Sequence, residues 1–229
     1  MLKSLELRND GSRYIKGEGG LFKGSLPAGG SGSASVSKKG LDKSAESDII
    51  KEKGFDSLDS SKVVNVLRND SEEWINELTS EEMRAIKKYT KNSGDPADDK
   101  FYARLNAMLR GNIPENDTLN YYSELISSGI SKFKLQHNIY CYRSMPSNPF
   151  GDVSKGQVIR INQFLSTSVT RKGTLHGDFK ITIKVKAGAK GAYIELLSKY
   201  KKQREFLLDK GLNYKVVSVG NNQIDLEVQ

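Results

Sequence analysis

The chain has 229 residues, enough for one well-buried core or at most two small ones, and a formal net charge of +8. That charge favours an acidic partner, such as nucleic acid, an anionic membrane or an acidic protein or cofactor, without choosing among them. The single cysteine, Cys141, excludes an intramolecular disulfide, and two distant histidines, His137 and His176, argue against a metal site. No apolar run approaches the roughly 20 residues that a membrane span requires, and the N-terminal stretch lacks the apolar core of a signal peptide.

Residues 1–45 differ from the rest of the chain, because they are rich in glycine and serine and carry almost no periodic apolar pattern. We predict that this basic segment is a flexible tail or linker, with no packed core before about Ser44. The remainder, 46–229, is predicted to form a single domain. Within it we expect a helical part over 46–135 and a β-rich part over 136–229.

The helical part contains two predicted helix starts. Asp70 with Glu73 three residues on, and Thr79 with Glu82, each match the reciprocal capping pattern. In that pattern the two side chains satisfy the unpaired N–H groups of the first helical turn. Amphipathic spacing of apolar residues follows each signal, so the pattern predicts two consecutive helices.

Two further amphipathic helices are predicted, and they are expected to end at Gly111 and Gly129. After about Gln136 the pattern changes to short runs rich in Ile, Val, Tyr and Phe, separated by turn-forming clusters. One of these runs, FKITIKVK, alternates strictly and is predicted to be a half-exposed strand. A helical part followed by a β part, rather than alternating units, predicts an α+β domain.

The sequence shows no Ser/His/Asp set, no Cys/His pair and no glycine-rich phosphate loop, so the candidates for chemistry are polar residues within predicted strands. Arg143 in IYCYRSM is the first, because its planar guanidinium suits a phosphate or a carboxylate. The alternative for Arg143 is an internal salt bridge or an exposed strand end. The hydroxyl run of FLSTSV is the second candidate, with Ser166 and Ser168 on one face of the strand. A solvent-facing strand would show the same hydroxyls.

The third candidate is the pair Gln203 and Glu205 in YKKQREFLL, which strand alternation would point the same way. If Ser166 lies close enough to hold its carboxylate, Glu205 becomes a fixed negative charge in a cleft. Such a charge stabilises a positive charge that develops only in the transition state, for example an oxocarbenium ion at a sugar carbon. The alternative is a charged edge that leads into a strand. Arg204 is expected to face away from the site.

An arginine, then Ser-Thr-Ser, then Gln-x-Glu, each on its own predicted strand, resembles the mono-ADP-ribosyltransferase toxins of the Arg/Ser-Thr-Ser/Glu class. Within that class the chain from about residue 45 onward most resembles the clostridial Rho-modifying exoenzymes and the enzymatic half of binary actin-modifying toxins. The resemblance implies a helical lobe packed on a mixed, mostly antiparallel two-sheet β core. It also implies NAD as a substrate and no metal.

The resemblance assigns roles to particular side chains. Ser166 would orient Glu205, and Glu205 would stabilise the oxocarbenium ion as nicotinamide leaves. The side chains that would bind NAD are Arg110 (in LNAMLR), Arg143, Ser166, Thr167 and Arg171. Without the resemblance, the sequence favours a solvated residue at the C-terminus of a helix for Arg110.

The resemblance also bears on the acceptor of the ADP-ribosyl group. Arginine-modifying members carry Glu two residues before the catalytic glutamate, whereas Gln203 matches the group that modifies asparagine on Rho-type small GTPases. A neutral amide can donate to and accept from another amide, which makes an asparagine acceptor chemically sensible. Tyr200 matches an exposed aromatic that touches the target, although a half-buried loop aromatic is the alternative. The basic sequence KYKKQR is unexpected in this loop and leaves the acceptor open.

Several further expectations follow from the resemblance. The enzyme would act as a monomer in a target-cell cytoplasm, after secretion or delivery with a virion, and would hydrolyse NAD as a side reaction. One alternative keeps the chemistry and changes the acceptor to guanine in nucleic acid or to another protein residue. Another is a non-catalytic virion-associated module, because the basic glycine-rich N-terminal segment faintly resembles connecting segments of phage head-associated proteins.

Overall fold

The computed structural model describes 3–4, 49–52, 55–91 and 100–229. These residues all belong to one compact unit. The predicted tail lies outside the described residues, apart from Lys3 and Ser4, which form a short strand.

The described residues of this unit form four α-helices and eleven strands. The helices are α1 Val63–Glu77, α2 Ser80–Thr90, α3 Phe101–Leu109 and α4 Asp117–Ser131. The strands are β1 Lys3–Ser4, β2 Ile49–Glu52, β3 Phe55–Leu58, β4 Ile139–Met145, β5 Val158–Ile161, β6 Leu165–Ser168, β7 Phe179–Val185, β8 Gly191–Tyr193, β9 Glu205–Leu208, β10 Leu212–Gly220 and β11 Gln223–Val228. Apart from β1–β3, the order is helices followed by strands, and the predicted α+β class is confirmed.

One of the two predicted helix starts is correct. Thr79 and Glu82 form the capping box at the start of α2, with each side chain accepting a hydrogen bond from the other residue's backbone N–H. The start predicted at Asp70 is wrong, because α1 begins at Val63 and Asp70 lies in its interior. Buried residues at helical spacing extend upstream of Asp70, and their packing outweighs the local capping preference.

The two glycines predicted to end helices behave differently. Gly111 follows α3 with a φ of 79°, the left-handed conformation expected of a helix-terminating glycine. The stop predicted at Gly129 is wrong, because α4 continues through it to Ser131. At Gly129 a β-carbon would lie 3.0 Å from Ile86 Cδ1, and the Gly129 carbonyl accepts a 2.8 Å bond from the indole of Trp74. This glycine therefore permits close packing of helices rather than a turn.

Nine strands form a mixed, mostly antiparallel sheet in the order β1-β5-β10-β11-β7-β4-β6-β9-β8, while β2 and β3 form a separate hairpin. Among the strand pairs that the structure describes, only β1–β5 and β11–β7 are parallel. The two halves of the large sheet meet at β4 and β6 through a single registered pair, Tyr142 with Ser168. The predicted half-exposed strand is β7, which buries every second residue.

The helical lobe packs against the last strands of this sheet. All four residues of β9 are buried, and Phe206 packs edge-on against Phe133, with 6.1 Å between the ring centroids. On the neighbouring strand β8, the Tyr193 carbonyl accepts a 2.7 Å hydrogen bond from Ser71 of α1. Ser71 of α1 and Phe133, two residues after α4, thus pack against β8 and β9, and Glu205 is the first residue of β9.

Across the described ranges, no helix combines the length and apolarity that a membrane crossing requires. Nor does this part of the chain bring together three or more His, Cys, Asp or Glu side chains that could hold a metal ion. Cys141 is buried in the core. Burial raises the pKa of its thiol to about 12, despite an opposing hydrogen bond with Thr167.

Candidate active site

Ser166 and Glu205 lie side by side on the neighbouring strands β6 and β9. The register pairs Glu205 with Ser168 and Leu207 with Ser166, which makes Ser166 and Glu205 diagonal neighbours. The Ser166 hydroxyl donates a hydrogen bond to Glu205 Oε1. Glu205 is only 5% exposed, so the serine fixes a carboxylate that is largely shielded from water. The arrangement places an oriented carboxyl group at the edge of the core.

Arg143 lies where β4 and β6 separate beyond their single registered pair. Its Nη1 donates a 2.6 Å hydrogen bond to the backbone carbonyl of Ser166, and its Nε lies 3.2 Å from Met145 Sδ. The Arg143 side chain is partly buried. The structure therefore brings Arg143 beside the strand segment that carries Ser166.

Thr167 does not join Ser166 and Glu205. Side chains alternate along β6, so Thr167 points to the face opposite Ser166. Its side chain is buried, and its hydroxyl donates a 2.6 Å hydrogen bond to the Phe206 carbonyl. The Thr167 hydroxyl therefore ties β6 to β9, and its contact with NAD stays a prediction.

Arg110 follows α3 as its C-terminal capping residue, and its Nη1 donates to the side-chain oxygen of Gln163. Gln163 is 2% exposed and lies two residues before Leu165, the first residue of β6. Arg110 is therefore partly buried and directed at the start of β6, unlike the fully solvated arginine that was the alternative. Nearby, Asn106 Nδ2 donates a 2.9 Å hydrogen bond to the Tyr89 hydroxyl.

The loop after β6 lies over β4 and carries Arg171. Its guanidinium stacks on the Tyr142 ring at 4.4 Å from the centroid. A cleft of about 240 Å³ opens beside this pair, and Arg143 and Lys180 also line it. Three cationic side chains around one small cleft make it suited to an anionic group.

The loop formed by residues 199–204, called the 199–204 loop below, leads directly into Glu205. Gln203 lies at the end of a 3-10 turn, Lys201–Gln203, and not in a strand. The strand alternation used to align Gln203 with Glu205 therefore does not apply. Arg204 between them is left-handed, with a φ of 49°, and this conformation sets their relative direction. Tyr200 is partly exposed at the start of the turn.

Two residues near the site, Glu195 and Gly173, were not predicted from the sequence. Glu195, just after β8, is a buried carboxylate that binds Arg204, which places the Arg204 side chain on Glu195 and away from the Ser166–Glu205 pair. Gly173 packs directly against the backbone of Gln203. An acidic residue inside the otherwise apolar run AYIELL was the available signal for Glu195. Gly173 gave no local signal.

The helical lobe, the split sheet and the serine-held carboxylate define a class of protein, and comparison with known proteins gives the family. The chain belongs to the ADP-ribosyltransferase exoenzyme family, because the model of that family matches residues 68–228. Among solved structures, the chain is similar to the Clostridium limosum C3 exoenzyme, with a TM-score of 0.60 and 22% identity over 76% of this chain and 97% of that one. The toxin Plx2a from Paenibacillus larvae gives the same TM-score and identity, over 76% of this chain and 98% of that one. The predicted resemblance to these exoenzymes is confirmed.

Two curated relatives add sequence similarity. The NAD(+)--arginine ADP-ribosyltransferase EFV of Enterococcus faecalis is 32% identical over 167 residues, which cover 68% of this chain and 32% of that protein. The NAD(+)--protein-arginine ADP-ribosyltransferase Tre1 of Serratia proteamaculans is 29% identical over 143 residues, or 62% of this chain and 29% of that protein. The chain thus spans about a third of the length of these curated relatives.

Proposed function

We propose that the protein is an NAD-dependent mono-ADP-ribosyltransferase that modifies a protein acceptor. The observation that carries this proposal is the buried Glu205 carboxylate held by the Ser166 hydroxyl, beside Arg143 and the cationic cleft. Family membership and the names of the two curated relatives support NAD as the donor. Arg143, Arg171 and Arg110 are the cations proposed to hold its two phosphates.

The proposed chemistry needs no metal. The bond between C1′ of the ribose and the nicotinamide nitrogen breaks, and nicotinamide leaves with the electron pair. Positive charge then develops on the ribose, where the Glu205 carboxylate stabilises it. Because Glu205 is almost fully buried, water screens this interaction little. Ser166 keeps the carboxylate oriented, so little reorganisation is required during the reaction.

The same cation can be captured in two ways. An acceptor nitrogen forms a new bond to C1′ and loses a proton, which completes the transfer. Water attacks the same carbon and loses a proton, which gives free ADP-ribose and accounts for the NAD glycohydrolase activity that we expect as a side reaction. Groups that position the acceptor therefore govern the ratio of transfer to hydrolysis.

Gln203 favours an amide acceptor, and our leading proposal is an asparagine of a Rho-type small GTPase. The side-chain amide of Gln203 can both donate to and accept from another amide. Tyr200, three residues earlier and partly exposed, is proposed to contact the surface of the target. A second candidate is an arginine acceptor, which the similarity to two arginine ADP-ribosyltransferases favours.

The surface beside the acceptor position is cationic. Five basic residues on the two turns that meet there are exposed: Arg171, Lys172, Lys199, Lys201 and Lys202. Such a surface complements an acidic patch around the modified residue. It would also attract nucleic acid, and a guanine acceptor is the alternative that this charge keeps open.

The deciding experiment is incubation of the protein with isotope-labelled NAD and host lysate, followed by mass-spectrometric mapping of the modified residue. We expect label on asparagine of a small GTPase, and none with Glu205→Ala. Label on arginine would select the second candidate. Label on DNA or RNA but not on protein would overturn the protein acceptor. If the wild-type protein neither transfers ADP-ribose nor hydrolyses NAD, the non-catalytic virion-associated module becomes the favoured alternative.

We also propose that 46–229 acts as one catalytic domain in monomeric form, in the cytoplasm of a target cell that it reaches by secretion or with a virion. Expression of 46–229 alone tests the first part, because 1–45 should then be dispensable for NAD hydrolysis. Light scattering tests the monomer. The route of entry is tested by comparing cells exposed to the purified protein with cells that express it internally. The measurement is modification of cytoplasmic protein in each.

A further inference from the structure

Behind the 199–204 loop lies a buried carboxylate with two arginines. Glu195 is 3% exposed. Arg68 of α1 donates to both of its oxygens through Nη2, at 3.0 and 3.2 Å, and the Tyr193 hydroxyl donates to Oε2 at 2.7 Å. Arg204 donates to Oε1 through Nη1. We call Glu195, Arg68, Tyr193 and Arg204 the Glu195 cluster.

The Glu195 carboxylate is ionised at neutral pH. Burial alone raises its pKa, but the hydrogen bond from Tyr193 and the charges of Arg68 and Arg204 outweigh burial and lower the pKa. A buried carboxylate with this many donors loses much of its stabilisation when any one partner is removed. Both arginines remain about one-third exposed, with 34% side-chain exposure each, so the cluster joins the buried framework to the loop surface.

Arg204 is the member that connects the cluster to the reaction. It lies between Gln203 and Glu205 and adopts the left-handed conformation, which residues other than glycine rarely adopt. Its carbonyl accepts a 3.0 Å hydrogen bond from the Val169 N–H, and the next carbonyl, that of Glu205, accepts one of 3.0 Å from the Ile194 N–H. The backbone is therefore anchored on both sides, while the Arg204 side chain is anchored by Glu195.

We propose that Glu195 is a positioning residue that, through Arg204, fixes the 199–204 loop relative to Glu205 and so sets the ratio of transfer to hydrolysis. This inference rests on the proposed function. Cleavage of the nicotinamide bond requires Glu205, which β9 holds independently of the loop. Capture of the C1′ cation by an acceptor nitrogen requires Gln203, and its direction depends on Arg204. A displaced loop should leave water as the main nucleophile, which bonds to C1′, loses one of its own protons and gives free ADP-ribose.

Four variants test the proposal. Glu195→Gln keeps the shape of the side chain and removes its charge. Arg204→Lys keeps a charge but loses the planar fork. Arg204→Gly and Arg204→Ala both remove the ion pair, but only glycine adopts the left-handed conformation freely. Lys186→Ala is the control, because Lys186 forms an exposed ion pair with Glu227 on another part of the sheet.

Three quantities are measured for each variant: acceptor labelling, nicotinamide release without acceptor, and the midpoint of thermal unfolding. For Glu195→Gln we expect transfer to fall about 10- to 100-fold, the scale for a displacement of about 1 Å, with nicotinamide release changed by less than about threefold. Transfer should fall more in Arg204→Ala than in Arg204→Gly, and Arg204→Lys should retain part of the wild-type transfer. Lys186→Ala should match the wild type in all three quantities.

A fourth measurement does not depend on activity. Trypsin cleaves after Lys201 and Lys202, which are exposed in the loop. If the Glu195 cluster holds the loop, Glu195→Gln should be cleaved there several times faster at a temperature where both proteins remain folded. Equal cleavage rates, or a parallel fall in transfer and nicotinamide release, would overturn the proposal. A wild-type protein without either activity would instead overturn the proposed function, and the trypsin rates would still decide the role of Glu195.

Discussion

Gly173 packs against the backbone of Gln203 so closely that a β-carbon on Gly173 would lie 2.5 Å from the Gln203 carbonyl oxygen. The same β-carbon would lie 2.2 Å from Ser168 Oγ. The turn after β6 and the turn before β9 therefore meet at a residue that must lack a side chain. Through this contact, the loop that carries Arg171 and the loop that carries Gln203 form one surface beside Glu205.

Gly173→Ala should displace the 199–204 loop. Contacts under 3.0 Å with a backbone oxygen cannot be relieved by a side-chain rotation, so one of the two turns has to shift. We expect transfer to fall about tenfold or more, with a smaller loss of NAD hydrolysis. Gly188→Ala is the matched control. Gly188 has a φ of 80°, so alanine there should cost about 1 kcal/mol of stability, but the added carbon would have no contact within 4 Å. Equal effects of the two substitutions on transfer would contradict this view of the contact.

Substitution of the two central residues should separate chemistry from orientation. Glu205→Gln removes the charge that stabilises the ribosyl cation, and we expect nicotinamide release to fall by about 10³-fold or more with little change in NAD affinity. Ser166→Ala leaves the carboxylate in place without its hydrogen bond, so a smaller loss of about 10- to 100-fold is expected. Single-turnover nicotinamide release and calorimetric NAD binding measure the two effects. Unaltered release by Glu205→Gln would remove Glu205 from the mechanism.

Gln203→Ala should uncouple the two outcomes of the reaction. The substitution removes the amide proposed to contact the acceptor, but it leaves Ser166, Glu205 and Arg143 unchanged. We expect transfer to be abolished while much of the NAD glycohydrolase activity persists, as measured by protein labelling and nicotinamide release in parallel. If both activities fall together, Gln203 is a structural residue of the turn. Gln203→Glu, assayed on the same lysate, asks whether a carboxylate moves the label to arginine.

Local patterns were sufficient where the interacting groups are close in the sequence. The capping box at Thr79 is such a case, because both of its groups lie within one turn of α2. The meeting of Ser166 and Glu205 was expected from the family resemblance instead, and the β6–β9 register brings the two residues together. The start predicted at Asp70 was wrong because burial along α1, which depends on the tertiary fold, outweighs the capping preference.

Contacts between distant segments could not be predicted from local patterns. Glu195 meets Arg68 across 127 residues, so nothing near Glu195 in the sequence identifies its partner. Gly129 was predicted to end a helix because glycine commonly does so. Its actual role, close packing against Ile86 of another helix, is not visible in the sequence around it. Likewise, strand alternation predicted that Gln203 and Glu205 point the same way. Gln203 lies instead in a turn, separated from β9 by the left-handed Arg204.

The cationic surface should control the binding of the acceptor. Reversal of two exposed charges, Lys201→Glu with Lys202→Glu, should raise KM for a protein acceptor about tenfold at low salt and leave nicotinamide release unchanged. Added salt should weaken labelling by the wild type more than labelling by the variant, because salt screens exposed charges. The control is the same double reversal at Lys155 and Lys215, two exposed lysines elsewhere on the fold. An unchanged KM would show that this charge does not recruit the acceptor.

Glu82 should make stability depend on pH in the acid range. Burial alone raises its pKa, but hydrogen bonds from Lys132, the Thr79 N–H and Ser128 outweigh burial and lower the pKa to about 2. Because the folded pKa lies below the unfolded value, the stabilisation is complete above about pH 4.5 and is lost as the pH falls towards about 2. Glu82→Gln should therefore cost about 2–3 kcal/mol in urea unfolding at pH 7, with a difference from wild type that shrinks below about pH 4.5. Glu81→Gln, on the exposed side of the same turn, is the control and should change stability little. If the loss of stability in Glu82→Gln does not depend on pH, the shape of the Glu82 side chain matters and its charge does not.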